Sequence, residues 1–190
     1  MKTYQMIIVA VLAIPPICLA LIFVIALGIK TIQIFTIPQN GMHPELSKNS
    51  SFLCEDYTIN DISTIKYGDV LAFNDFYKGK EYVFVWRVIG LPNDHIKIQN
   101  EETYVNNKLL SKISLSMDED FLYYTEQNNG SNYKIAIDKN TKNPAKGIDI
   151  TVPENHLFFM GDNRLNALDS RFNGTVSFDK IICRKFYKIY

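Results

Sequence analysis

The chain has 190 residues, 20 basic and 20 acidic side chains for a formal net charge of zero, and 47% hydrophobic residues. That length suits one domain with a small attachment, and the balanced charge gives no electrostatic case for nucleic acid or an acidic partner. Three cysteines, Cys18, Cys54 and Cys183, show neither metal-ligand spacing nor the density of a disulfide scaffold, so no metal or other cofactor is expected.

After a short tail over residues 1–5, residues 6–29 contain no charged side chain. At about 1.5 Å of rise per residue this is roughly 36 Å of helix, enough to cross a bilayer. The apolar core of a cleaved secretory signal is shorter, about 7–15 residues, so length favours a retained membrane anchor. Pro15 and Pro16 predict a kink in it. Lys2 before the span and Lys30 after it leave the orientation open. Cys18 falls inside the span, so Cys54 and Cys183 are the remaining pair; a bridge between them and two buried free thiols both fit the sequence.

Beyond the anchor, short apolar, β-branched or aromatic runs predict strands over 51–54, 70–73, 82–89, 96–98, 157–160 and 181–190. Gly68-Asp69 and Leu91-Pro92-Asn93-Asp94 supply turn chemistry between them. The predicted class is mostly β, with a core domain over 31–98 and 151–190. Residues 99–150 are rich in Asn, Lys, Asp and Glu and read as an inserted cap subdomain. Small strands are predicted there over 103–105, 121–125 and 133–137, with exposed turns over 128–132 and 140–147. Composition alone reads the insertion as solvated and without chemistry.

Residues 161–176, GDNRLNALDSRFNGTV, combine turn residues and alternating charges at a spacing that no generic loop requires. This run resembles the motif G-D-N-R-x-N-S-x-D-S-R of the bacterial type I signal peptidase family. Three further segments agree with the resemblance, in the family's order. Ile37-Pro38 and Met42-His43-Pro44-Glu45-Leu46 are similar to I-P-S-G-S-M-x-P-T-L, residues 68–73 to a core strand, and residues 87–94 to the end of K-R-V-I-G-L-P-G-D. The resemblance implies a signal-peptidase-like β-sheet domain behind one N-terminal transmembrane helix. It also implies single-pass residence in a bacterial plasma membrane with the core domain extracytoplasmic.

The family cleaves signal peptides with a serine nucleophile and a lysine base. A serine hydroxyl needs a base to take its proton, and a lysine is that base only when neutral, with its pKa brought down from about 10.4 by burial. In this chain Gly41 stands at the nucleophile position, Trp86 at the base position, and Ala167 where the family has the serine that orients the lysine. Glycine has no side chain to attack with, and an indole offers an N–H donor but no basic nitrogen. Groups of one catalytic unit act together, so this pattern predicts no Ser/Lys reaction. His43 lies two residues from the vacant position, but no spacing implies a hydroxyl beside it or a group orienting its ring.

Arg87, Asp162, Asn163, Arg164, Asp169, Ser170 and Arg171 match the family's motifs, and the resemblance implies pairing of Arg87 with Asp162 and of Asp169 with Arg171. Gln39, Asn40, Met42 and Pro44 fall in the implied peptide-binding region. The leading expectation is an inactive homologue that binds signal peptides, exported protein segments or an active paralogue at the bilayer without cutting. The rival readings are an active peptidase with a non-standard dyad, a component of a secretion or conjugation assembly, and a degenerate relative without a binding role.

Overall fold

The predicted runs become strands between turn residues, some alternating between buried and less buried residues and others buried throughout. The computed structural model describes residues 32–56, 63–141 and 147–189. The expected span over 6–29 and its tail lie outside these, as do 142–146 of the expected turn over 140–147. Among the described residues no helix is long and apolar enough to cross a membrane.

Among the described residues fourteen strands occur in chain order: β1 (Ile32–Thr36), β2 (Ser51–Asp56), β3 (Val70–Tyr77), β4 (Lys80–Gly90), β5 (His95–Gln99), β6 (Glu102–Val105), β7 (Lys108–Leu109), β8 (Ser111–Met117), β9 (Phe121–Asn128), β10 (Ser131–Asp138), β11 (Ile148–Thr151), β12 (His156–Met160), β13 (Val176–Ser177) and β14 (Ile181–Ile189). A short helix, α1 (Ser170–Asn173), follows β12, and a 3-10 turn over Phe178–Lys180 precedes β14. A seven-stranded sheet has the order β1-β2-β14-β3-β4-β12-β13, a four-stranded sheet β11-β5-β6-β7, and a three-stranded sheet β10-β9-β8. The four-stranded sheet joins β5 and β11 to β6 and β7, so it runs across both sequence boundaries of the expected insertion.

The asparagines of the insertion have a conformational role. Asn100-Glu101, Asn106-Asn107 and Asn129-Gly130 each place two consecutive residues at positive φ, as does Lys78-Gly79 between β3 and β4. These pairs close two-residue hairpins whose flanking residues are Gln99 and Glu102, Val105 and Lys108, Asn128 and Ser131, and Tyr77 and Lys80. Such turns match the twist of the strands and favour Asn and Gly at their centre. One predicted turn needs correction. Asn128 is expected in an exposed turn over 128–132, but it ends β9 fully buried, where its Nδ2 donates to the Ile89 carbonyl at 2.9 Å.

Two cores flank β4 and β12. Successive side chains on a strand face opposite ways, so Val88 and Phe159 enter a core with Phe52, Leu71 and Leu157, while Ile89 and Phe158 enter a second core with Ile96, Ile135 and Val152. Burial on both faces explains why 85–89 and 157–160 read as continuous runs, whereas Tyr82 and Val83, at the start of the first run, are exposed.

Cys54 on β2 and Cys183 on the neighbouring β14 form a disulfide, with Cα atoms 5.6 Å apart and a sequence separation of 129 residues. Both are fully buried, and the bond between them decides against two buried free thiols. Closing so long a loop restricts the unfolded chain, so the double variant Cys54→Ala/Cys183→Ala is expected to lose about 2–5 kcal/mol of unfolding free energy in a guanidinium titration.

Candidate functional site

The site forms where three chain segments meet: residues 39–46 between β1 and β2, the inward face of β4, and the loop over 161–169 between β12 and α1. The first segment turns tightly, with Leu46 N–H donating to the Met42 carbonyl at 2.8 Å. The loop clamps it: the Asn163 amide donates to the Gly41 carbonyl at 3.0 Å and Asn163 Nδ2 to the Asn40 carbonyl at 3.3 Å.

Gly41, Trp86 and Ala167 converge at this junction. A Cβ added to Gly41 would stand 2.5 Å from Cη2 and 2.6 Å from Cζ3 of Trp86, closer than side-chain carbons approach. Gly161 is hemmed in as well, since a Cβ there would lie 2.3 Å from the Ala167 Cβ, 2.7 Å from the Gly41 carbonyl oxygen and 3.0 Å from Trp86 Cζ3. Trp86 and Ala167 are each 6% exposed. The indole thus fills the space in front of Gly41, and these three residues present neither a nucleophilic oxygen nor a basic nitrogen.

Buried ion pairs surround the junction. Arg87 grips Asp162 through two hydrogen bonds of 2.7 and 2.5 Å, donates to the Gly68 carbonyl at 2.7 Å, and stacks over the Tyr133 ring with 4.6 Å from Cζ to the centroid. Burial disfavours its charge, but the Asp162 carboxylate more than offsets this and raises its pKa further. Asp169 caps α1, takes hydrogen bonds from Arg171 Nε and Nη2 at 2.8 and 2.7 Å, and accepts from the Gly161 amide at 2.8 Å. Ser170 Oγ accepts from the Phe159 amide at 3.0 Å. Both pairs implied by the resemblance are therefore formed.

Sequence reasoning did not find the partners supplied by the insertion. Glu126 on β9, fully buried, accepts two hydrogen bonds from Arg164, one at 2.6 Å through Nη1 and one through Nη2, and a third from the Tyr133 hydroxyl at 2.9 Å. Burial first, and then the charge of Glu126, push the Tyr133 hydroxyl well above the usual phenol range. The Ala136 amide donates to the Asp162 carbonyl at 2.9 Å and the Arg164 amide to the Ala136 carbonyl at 3.0 Å, so β10 pairs with the loop itself. A carboxylate in a polar insertion reads as solvated, because Glu is rarely buried unless it is paired. Residues 126–136 form a wall of the site.

Beside the junction lies a cleft of about 520 Å³, lined by residues 35–39, Gly41 and Met42 and by Tyr82–Trp86 with Tyr77 and Leu168. Its lining contains no Asp, Glu, Lys or Arg. Gln39 and Met42 are in the wall, whereas Asn40 and Pro44 are not. Asn40 instead accepts from the Lys48 amide at 3.3 Å through its side-chain oxygen.

His43, half-buried, has the neighbours that its sequence context did not reveal. Its Nδ1 lies 3.1 Å from Ser47 Oγ and its Nε2 3.1 Å from the Tyr123 hydroxyl, which donates to Asp118 at 2.7 Å. Burial lowers the imidazole pKa despite Asp118. Neither Ser47 nor His43 lines the cleft. The amides of residues 48–50 are already donated to Asn40, Ile37 and Ser47 oxygens, leaving none of them to stabilise an oxyanion beside Ser47. Among the described residues no cluster of His, Cys, Asp or Glu is arranged to hold a metal ion.

The model of the family described as signal peptidase, peptidase S26, matches residues 8–190. Signal peptidase I U of Bacillus subtilis (strain 168) is 34% identical over 167 residues, covering 85% of this chain and 80% of the relative. A probable signal peptidase I-2 of Synechocystis is 29% identical over 175 residues, covering 88% and 68%. A crystal structure of a signal peptidase I from Enterococcus faecalis V583 aligns with a TM-score of 0.38 at 23% identity, over 62% of this chain and 92% of that one. The family match along nearly the whole chain, together with the relative at 34% identity, establishes that this protein belongs to the signal peptidase family, peptidase S26.

Proposed function

We propose that this chain is a non-cleaving member of its family that binds signal peptides or other exported segments in the cleft beside β4. The observation that carries the reading is the indole of Trp86 packed in front of Gly41, where a Cβ would come within 2.5 Å of the ring. A family reaction at this point requires a hydroxyl on position 41 and a neutral amine on position 86, and the residues present supply neither. Peptide capture requires only backbone pairing along a strand edge and apolar pockets for side chains. The edge of β4 over Tyr82–Trp86 offers this, because β12 pairs with β4 only from Arg87 onward.

The same reading makes residues 6–29 a single membrane anchor and puts the core domain outside the cytoplasm. The buried Cys54–Cys183 disulfide supports an oxidising location. The ion pairs of Arg87, Asp162, Arg164, Asp169 and Arg171 then serve to hold the walls of the cleft together, and Asn163 to clamp the turn at Gly41.

A second reading, cleavage by an alternative serine, draws on the chain Ser47–His43–Tyr123–Asp118. One assay decides between the two. The full-length protein in detergent, incubated with secretory precursors, is expected to retain them on affinity resin and leave them intact. Cleavage that disappears in Ser47→Ala would overturn the proposal in favour of the second reading.

A further inference from the structure

We infer that the cleft takes an extended, uncharged peptide segment with bulky apolar side chains, and that the indole N–H of Trp86 donates a hydrogen bond to a backbone carbonyl of that segment. The inference rests on the peptide-binding reading above and specifies its ligand. At about 520 Å³ the cleft falls in the range of sites that enclose drug-sized molecules, the size of a tri- or tetrapeptide. Alanine-sized side chains would leave much of that space without contacts, and unfilled apolar wall forfeits dispersion attraction. Five aromatic rings, those of Phe35, Tyr77, Tyr82, Phe84 and Trp86, are part of the wall, and no ionised side chain is. A charged occupant would lose hydration there with no counter-charge to replace it.

Trp86 supplies the polar contact. Its benzene corner, Cη2 and Cζ3, packs against Gly41, which places the pyrrole nitrogen at the far end of the ring. The residue is 6% exposed, its N–H donates to no atom of the described residues, and its nitrogen is not among the buried side-chain atoms that lack a partner, so it reaches solvent. A donor that reaches solvent without an internal acceptor is free to take one from a ligand. The end of the ring that carries the nitrogen faces away from the filled junction, and Trp86 lines the cleft together with Leu168. An extended peptide entering alongside Tyr82–Trp86 brings carbonyl oxygens to that wall at every second residue. Unlike an amine, the indole N–H is a donor at every physiological pH and never a base. It therefore holds a carbonyl without activating anything against it.

Trp86 is the sole tryptophan of the chain, so its emission reports directly on the site. The full-length protein in detergent is titrated with three capped tetrapeptides: Ac-Val-Phe-Val-Leu-amide, Ac-Ala-Gln-Ala-Ala-amide and Ac-Val-Phe-Asp-Leu-amide. The first is expected to shift the emission saturably, and the other two to bind at least roughly tenfold more weakly. By calorimetry, Trp86→Phe is expected to weaken the first peptide by roughly three- to tenfold, the size of one lost hydrogen bond. If none of the peptides gives a saturable signal, the peptide-binding reading itself falls. Equal affinity for the alanine-rich peptide overturns the preference for bulky side chains. Equal affinity of folded Trp86→Phe overturns the carbonyl contact while leaving peptide binding in place. The emission titration of the unaltered protein keeps the side-chain test decisive should Trp86→Phe fail to fold.

Discussion

Gly41→Ser alone is expected to lower stability and produce no cleavage, whereas Gly41→Ser combined with Trp86→Lys and Ala167→Ser is expected to cut precursors. In the single variant the new Cβ meets the Trp86 ring at 2.5 Å, with the Asn166 carbonyl oxygen at 3.2 Å on another side. The indole is buried in a packed core and has little room to withdraw. Overpacking of this kind costs about 1–3 kcal/mol, a fall of roughly 3–10 °C in melting temperature for a domain of this size. Trp86→Lys removes the ring, so the serine and the lysine relieve each other. A double-mutant cycle on stability should therefore show favourable coupling between positions 41 and 86. In the triple variant the lysine enters an apolar site that lowers its pKa, and the hydroxyl that Ala167→Ser introduces orients it. A positioned general base contributes about 10²–10⁴-fold, so cleavage at least roughly 100-fold above the unaltered protein is expected in a precursor-processing assay. A folded but silent triple variant would show that more of the site has diverged than these three side chains.

Glu126→Ala should be among the most destabilising single changes in the insertion. It strips Arg164 of the carboxylate that takes two of its hydrogen bonds and leaves a guanidinium 4% exposed, with the Tyr133 hydroxyl also losing its acceptor. Breaking a buried pair from one side costs about 3–5 kcal/mol because the remaining charge stays desolvated. Thermal unfolding is expected to shift down by roughly 10 °C. Glu126→Ala/Arg164→Met, which removes both charges, is expected to recover part of that loss. If the double variant is instead no more stable than Glu126→Ala, the cost comes from packing and not from the orphaned charge.

The two predictions concern different parts of the molecule, but they meet at one loop. Residues 161–164 present Gly161 to the junction and Arg164 to the insertion, and β10 pairs with the same loop through Ala136. Loss of the Glu126–Arg164 pair is thus expected to loosen the Asn163 clamp on Gly41 as well.

Local pattern carried much of the architecture. Each strand predicted before the insertion, from 51–54 to 96–98, and 157–160 after it, lies within an observed strand, because one-faced burial in 51–54 and 96–98 and two-faced burial in 70–73 and 157–160 both leave apolar residues visible without a partner. The run 181–190 is β14 as far as Ile189, and Tyr190 lies outside the described residues. The insertion was misread in its chemistry. Its asparagines suggested solvation, but several occupy positive-φ hairpin positions, and Asn128 is buried on an Ile89 carbonyl. Composition does not distinguish a polar residue that faces water from one that serves a turn or a buried pair.

Read alone, the sequence determined the family, the mostly β class, and the absence of a hydroxyl and an amine at positions 41 and 86, since each of these is a matter of residue type and order. Only the tertiary structure decided that Gly41 and Trp86 occupy one space, that Glu126 neutralises Arg164 from 38 residues away, and that Cys54 reaches Cys183. Those facts depend on distances between segments far apart in the chain. Such distances are set by how the sheets pack, and no local pattern records them.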